Sequence, residues 1–133
     1  MEKGMEKFEP ILDLIQVRLR IILARNADYM LSWDTVNLKN TGDDLIRLAQ
    51  ETHAQLTEMG HRVLHHSIRD AGLGIRVRAL EVQKRRLEED DKRYFRDVHN
   101  ALENICEKIE TGEYYQALLK IRDSKDPLKK YSI

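Results

Sequence analysis

The chain has 133 residues, 41% of them hydrophobic and 35% charged, and its 23 basic and 23 acidic side chains give a formal net charge of zero. This length allows one domain with a buried core, and the charge balance produces no global field that would favour an anionic or a cationic partner. One cysteine excludes an internal disulfide framework and a cysteine-rich metal site. We therefore expect one soluble, cytoplasmic helical domain over residues 1–133, with flexible ends at 1–9 and 124–133 and without a membrane span.

The first helix is predicted to begin at Pro10 and to run to about Leu31. Apolar residues recur along this stretch at helical spacing, and proline is favoured in a first helical turn. Turn-forming residues between Trp33 and Gly42 predict a loop. A second helix is then expected to open near Asp43.

Glycines divide the rest of the chain. The pattern favours continuation of the second helix through Gly60, with a kink, to about Arg69. The two glycines of the segment 70–74 predict a hinge. Residues 75–110 contain no proline or glycine, which favours one long helix or two nearly continuous ones. A short last helix is expected over residues 113–123.

The fold class that follows is all-α, an antiparallel helical bundle of four to five helices. Its expected special feature is one long, partly projecting helix over about 75–110. The middle of this stretch, residues 83–93, contains Leu87 as its single apolar residue. A segment this polar stays helical only in solvent or with a partner along one thin face, as in a coiled coil.

Charge is segregated along the chain although it sums to zero. The net charge is −3 over residues 1–60, +5 over 61–86, −5 over 87–114 and +3 over 115–133. If the boundary between the basic and the acidic block is helical, ion pairs four residues apart, such as Lys84 with Glu88, would neutralise the charges there. Two such helices in opposite orientation would instead set the basic block of one molecule against the acidic block of another.

We therefore predict a protein-binding surface on the long helix, for a protein partner or for a second copy of the chain. The residues expected to contact the partner are Arg78, Lys84, Arg85, Leu87, Glu88, Asp91 and Tyr94. The basic segment 62–86 alone suggests nucleic acid or an anionic surface as an alternative partner. Nucleic acid is disfavoured because the adjacent acidic block repels a phosphate backbone.

Four histidines within fourteen residues suggest a different class of function. His61 and His65 are four residues apart, so on a helix they would face the same way, with His53 and His66 nearby. No HExxH pattern and no obvious third metal ligand accompany them. Boundary histidines of a helix are therefore the preferred interpretation, and no metal ligand is predicted.

The spacing of Arg47 and His53 resembles that of arginine and histidine in helical nucleases of the HEPN type. The residue after the arginine is Leu48 here, where that family has a polar residue. The resemblance covers seven residues and does not identify the family. Together with the histidines it defines the alternative of a small helical enzyme or nuclease using Arg47, His53, His61 and His65.

Other catalytic patterns are missing from the sequence. There is no glycine-rich phosphate loop and no nucleophile elbow, and Cys106 lies beside an apolar helical stripe without a nearby base. The preferred prediction is a non-enzymatic interaction or scaffold subunit of a larger assembly. This prediction assigns the protein no catalytic residue and no cofactor.

Overall fold

The computed structural model describes residues 10–112, and within this range it contains four α-helices and no strand. They are α1 (Pro10–Ser32), α2 (Thr35–Glu58), α3 (Arg62–Val82) and α4 (Glu89–Glu110). The all-helical prediction is confirmed for these residues. The expectations of flexible ends at 1–9 and 124–133 and of a last helix over 113–123 lie outside the described residues.

α1 and α2 are joined by two residues only. Trp33 ends α1 in a left-handed conformation with φ of 52°, and the Asp34 N–H donates back to the Tyr29 carbonyl at 3.0 Å. Asp34 then starts α2 as its N-cap, because its carboxylate accepts the Asn37 N–H at 3.1 Å. The loop predicted up to Gly42 is therefore wrong: an aspartate cap restarts the helix at once.

Trp33 occupies a conformation that costs a non-glycine residue about 1–2 kcal/mol. Its side chain offsets that cost by packing on α4. The indole ring lies 6.2 Å from the Phe95 ring, and the cationic groups of Lys92 and Arg96 lie 5.7 and 5.4 Å from its centroid. Trp33 thus packs on the N-terminal half of α4.

α2 and α3 are separated by a reversal at Gly60. This residue has φ of 88°, and the His61 N–H donates to the Leu56 carbonyl at 2.7 Å, a helix-ending pattern that uses the left-handed freedom of glycine. The predicted kinked helix through Gly60 is therefore wrong. After the reversal α3 lies along α2, and Gln83, just past the end of α3, donates to the Thr35 carbonyl at 3.2 Å.

The hinge predicted at residues 70–74 is also wrong, because this segment lies in the middle of α3. Gly72 meets Gly42 of α2 with almost no space between the two backbones. A Cβ atom at Gly42 would lie 2.7 Å from the Gly72 carbonyl oxygen, and one at Gly72 would lie 2.9 Å from the Gly42 oxygen. These glycines therefore bring two helices into close approach and do not bend the chain.

α1 and α4 complete the bundle around one hydrophobic core. The largest side chains with almost no exposure come from all four helices and include Ile15, Leu19, Leu38, Leu45, Leu48, Leu56, Leu64, Ile68, Ile75, Phe95 and Leu102. Inside this core Asn26 and His99 lie 3.0 Å apart, Nδ2 to Nδ1. At the C-terminal end of α4, Arg20 donates two hydrogen bonds to the Glu110 carboxylate, both at 2.8 Å, and Gln16 also contacts this carboxylate.

The stretch 75–110, predicted as one long helix or two nearly continuous ones, is divided by a connection. α3 ends at Val82 and α4 begins at Glu89, so residues 83–88 form a connection between two helices that both pack on the core. The polar composition of the connection explains the break, since Leu87 is the one side chain of residues 83–88 that packs against the core. The projecting helix is therefore replaced by a corner.

Candidate functional site

The side chain at the centre of this corner is Asp91, in the first turn of α4. It is only 2% exposed, yet three donors satisfy its carboxylate. Arg85 binds both oxygens, at 2.8 and 2.9 Å, while Arg78 donates at 2.9 Å and the Glu88 backbone N–H at 2.9 Å. The two-pronged contact from Arg85 is the strong, directional kind of ion pair.

The surroundings of Asp91 keep it ionised. Its pKa lies well below the usual value, first because of the hydrogen bonds from Arg85 and then because of those from Glu88 and Arg78, while burial opposes the shift. Deprotonated Asp91 therefore holds α3, the connection and α4 together.

Tyr94 lies on the same corner, one turn after Asp91. The Arg78 guanidinium is 4.5 Å from the centroid of the Tyr94 ring. The hydroxyl of Tyr94 lies against Gly74 of α3, where a Cβ atom would otherwise stand. Burial raises the pKa of the Tyr94 phenol, and the charge of Arg78 opposes this. Gly74 therefore makes room for a tyrosine that joins α3 to α4.

The structure brings together most of the residues predicted to contact a partner, but the contacts seen are within the chain. Arg78, Arg85, Asp91 and Tyr94 interact with one another, and Glu88 contributes its backbone N–H. Leu87 is half-buried against the core and Lys84 is exposed. The pairing of Lys84 with Glu88 expected in a helix is not formed, because neither residue is helical.

The basic segment 62–86 is also largely neutralised by the chain itself. Arg69 pairs with Asp70 and Arg76 with Asp43 of α2, each at 3.4 Å. Asp43 is a partner that sequence reasoning missed, and the close approach of α2 and α3 that places it there has no local signal. Within residues 10–112, the basic side chains of this segment without an ion pair are Arg62, Lys84 and Arg86.

The histidines are brought together in part. The rings of His53 and His65 are 4.4 Å apart and those of His65 and His66 are 5.2 Å apart. His61 precedes α3 as its N-cap residue, so His61 and His65 do not lie on one helical face. Among residues 10–112 no group of three or more His, Cys, Asp or Glu side chains is placed to hold a metal ion.

The arginine of the nuclease-like spacing lies elsewhere. Arg47 pairs with Asp44 at 3.0 Å and lines a cavity of about 190 Å³ between α1 and α2. His53 lines a different cavity, between α2 and α3. The two residues therefore do not face one reacting centre.

Cys106 is fully buried in the core, on α4. Burial raises the pKa of its thiol to about 11, although the nearby Arg20 lowers it. A thiol with a pKa this high is almost entirely protonated near neutral pH and is a poor nucleophile. The environment of Cys106 is therefore that of a core residue.

The pKa of His65 predicts an acid-sensitive stability. Burial, followed by the charges of His53, His66 and Arg69, lowers this pKa below the ordinary 6.5, while a hydrogen bond to the Ala49 backbone opposes the shift. The unfolded chain then binds a proton more readily than the folded chain. The free energy of unfolding should therefore fall as pH drops below 6.5, by at most about 1.4 kcal/mol per pH unit from this group.

Urea unfolding at several pH values between about 7 and 5 measures this effect. His65→Gln removes the titrating group, and its unfolding free energy should vary less with pH than that of the natural chain. Equal pH slopes for the two proteins would show that His65 is not the cause.

No protein-family model, no curated protein and no solved structure matches this chain. Among residues 10–112, no helix combines the length and the apolar character that crossing a membrane requires.

Proposed function

We propose that the protein is a non-enzymatic interaction module, carried on an antiparallel helical bundle, that works as a subunit of a larger assembly. The observation that supports this is an apolar row on the outer face of α3. Leu73, Val77 and Leu80 are 40%, 55% and 38% exposed, and they follow each other at steps of four and three residues. This spacing is that of a helix-pairing seam.

A second apolar row lies on α1, on the side away from the core. Its exposed members are Leu14, Val17, Ile21, Ala24 and Leu31. Steps of three and four residues link the first four over three helical turns. Single exposed apolar side chains are ordinary, but aligned rows are typical of surfaces that contact other proteins. A module with two such faces suits a scaffold that joins two neighbours.

Charges beside the α3 row suggest what faces it. Arg69 and Arg76 flank the row on one side, and Lys84 extends it past the end of the helix. The acidic first turn of α4, with the exposed Glu89 and Asp90, is the matching surface on a second copy. We therefore infer self-association in which Lys84 and Glu88 keep the contact role predicted from the sequence. The corner itself is stabilised by contacts within the chain, which come from Arg78, Arg85, Leu87, Asp91 and Tyr94.

Val77→Glu and Leu80→Glu should each weaken this association strongly. Each change places a charge in an apolar seam, and burying an aliphatic side chain is worth about 1.5–3 kcal/mol, so affinity should fall at least about tenfold. Both positions are exposed, and the monomer should therefore stay folded. Light scattering of the full chain at low and high salt measures the mass, and circular dichroism checks the fold.

The matched control is Gln50→Glu, which introduces the same side chain at an exposed position of α2. It should leave the mass unchanged. A natural chain that scatters as a monomer at both salt concentrations would contradict self-association and leave a different protein as the partner.

A further inference from the structure

A cavity of about 200 Å³ opens between the second half of α2 and the first two turns of α3. α2 contributes His53 and Thr57, which are four residues apart. α3 contributes Arg62, His65 and His66, which also share one helical side. All five side chains end in groups that donate hydrogen bonds or gain a positive charge by protonation, and none is a carboxylate.

The innermost of these groups has unused hydrogen-bonding capacity. His65 is 6% exposed and its ring bonds to the backbone of Ala49, while its Nδ1 atom has no hydrogen-bond partner among the described residues. An unpaired polar atom in a buried side chain is costly unless water or a ligand supplies the partner. A ligand in the cavity would supply the hydrogen-bond partner that Nδ1 of His65 does not have among the described residues.

The charges around His65 favour an anion over a cation. From α2 it faces His53, and from α3 it faces His66 and Arg69. Arg69 is paired with Asp70, but Arg62 has no ion pair within residues 10–112. A cation would have to enter beside this unpaired guanidinium. An anion would give Arg62 the partner that it lacks.

We propose that this cavity binds a single phosphate group, either inorganic phosphate or the phosphate of a small monoester. Arg62 presents a planar fork of N–H donors, Thr57 a hydroxyl, and the three histidines ring nitrogens that become donors when protonated. α3 begins here without a side-chain cap, so the positive end of its dipole adds to the field. A tetrahedral dianion offers acceptor oxygens in several directions, and it can therefore accept hydrogen bonds from donors on both α2 and α3.

Binding should strengthen as the histidines gain protons, because each protonation adds a donor and a positive charge. The phosphate group also takes up a proton, near pH 6 in a monoester and about one unit higher in inorganic phosphate, which would obscure this effect. Sulfate has the same shape and keeps its charge, so it is the probe for pH dependence. We expect sulfate to bind the full chain more tightly at about pH 6 than at about pH 8.

The test is a titration of the full chain with inorganic phosphate at constant ionic strength, followed by calorimetry and by the NMR signals of the histidine ring protons. Arg62→Gln should weaken binding about tenfold, the worth of one charge-assisted hydrogen bond. Arg86→Gln, which removes the same charge from an exposed arginine outside the cavity, should leave the affinity unchanged. The signals of His53, His65 and His66 should move together and saturate.

Three results would overturn the proposal. One is the absence of any saturable change in these signals. Another is an equal loss of affinity in both arginine variants, which would show unspecific attraction to positive charge. The third is binding of a short oligonucleotide without binding of phosphate, which would indicate a nucleic-acid surface. None of these results depends on the self-association through α3, so the two proposals fail separately.

Discussion

Asp91→Ala should lower the free energy of unfolding by about 2–4 kcal/mol, although Asp91 lies in a polar corner of the bundle. The change removes the acceptor for two guanidinium groups and for the Glu88 N–H, and it leaves a small void under them. Arg78 and Arg85 are partly exposed, so water solvates them in the variant and limits the cost. Urea unfolding measures the difference.

The neighbouring Asp90 provides the matched control. It is 82% exposed and its ion pair is with Arg93, on the same helix turn. Asp90→Ala should therefore cost less than about 0.5 kcal/mol. Equal losses for the two variants would show that the buried network does not stabilise the corner.

The pH dependence of the Asp91 variant follows from the direction of the pKa shift. Because the folded chain depresses this pKa below the ordinary 3.8, the network stabilises the fold above that pH and loses its contribution as pH falls. The difference in unfolding free energy between the natural chain and Asp91→Ala should therefore be largest at neutral pH and should decrease below about pH 4.

Gly72→Ala is the second change with a large expected effect. Alanine improves helix propensity by about 1 kcal/mol, but the new methyl group would stand 2.9 Å from the Gly42 carbonyl oxygen. A backbone atom cannot turn aside as a side chain can, so α2 and α3 must separate. Overpacking of this kind costs about 1–3 kcal/mol, occasionally more, so after the gain in helix propensity we expect a net loss of up to about 2 kcal/mol.

Gly42→Ala should behave in the same way, since its methyl group would meet the backbone of Gly72 and Arg76. The double variant should cost less than the sum of the two single ones, because one separation of the helices relieves both clashes. Gly74→Ala is the comparison, since its methyl group meets a side chain, the hydroxyl end of Tyr94. An equal loss at all three positions would show that backbone contact is not the cause.

The helical class could be predicted from the sequence because it depends on local periodicity. α1 begins at Pro10 and ends within one residue of the predicted Leu31. The sequence also places Phe95 and Leu102 seven residues apart, as one stripe of a helix requires, and both side chains are buried in α4. Both predictions need only the chain within a few turns of the residue concerned.

The glycines could not be interpreted from the sequence, since a glycine serves either a turn or a close contact. Gly60 was predicted to lie within a helix and ends one, while Gly72 was predicted to end a helix and lies inside one. Gly72 lies inside a helix because it packs against Gly42, which is thirty residues earlier in the sequence. A residue that far away leaves no trace in the local pattern.

The candidate sites show the same limit. Charge and spacing selected Arg78, Arg85 and Asp91 as functional residues, and the structure does bring them together. Their contacts nevertheless satisfy one another inside the chain, which only the corner after Val82 makes visible. Similarly, the histidine group was visible in the sequence, but the unpaired Arg62 beside it became evident only once α3 folded back on α2.

The placement of α1 between α2 and α4 has a consequence for synthesis on the ribosome. α2 and α3 are consecutive, so their hairpin is able to close soon after both have emerged. α1 is made first, yet Arg20 and Asn26 find their partners on α4, the last helix described. α4 is complete only 78 residues after the end of α1, and until then one side of α1 lacks the partner that it has among residues 10–112. A nascent chain stalled before α4 would therefore expose apolar surface of α1, the state in which chaperones and aggregation compete.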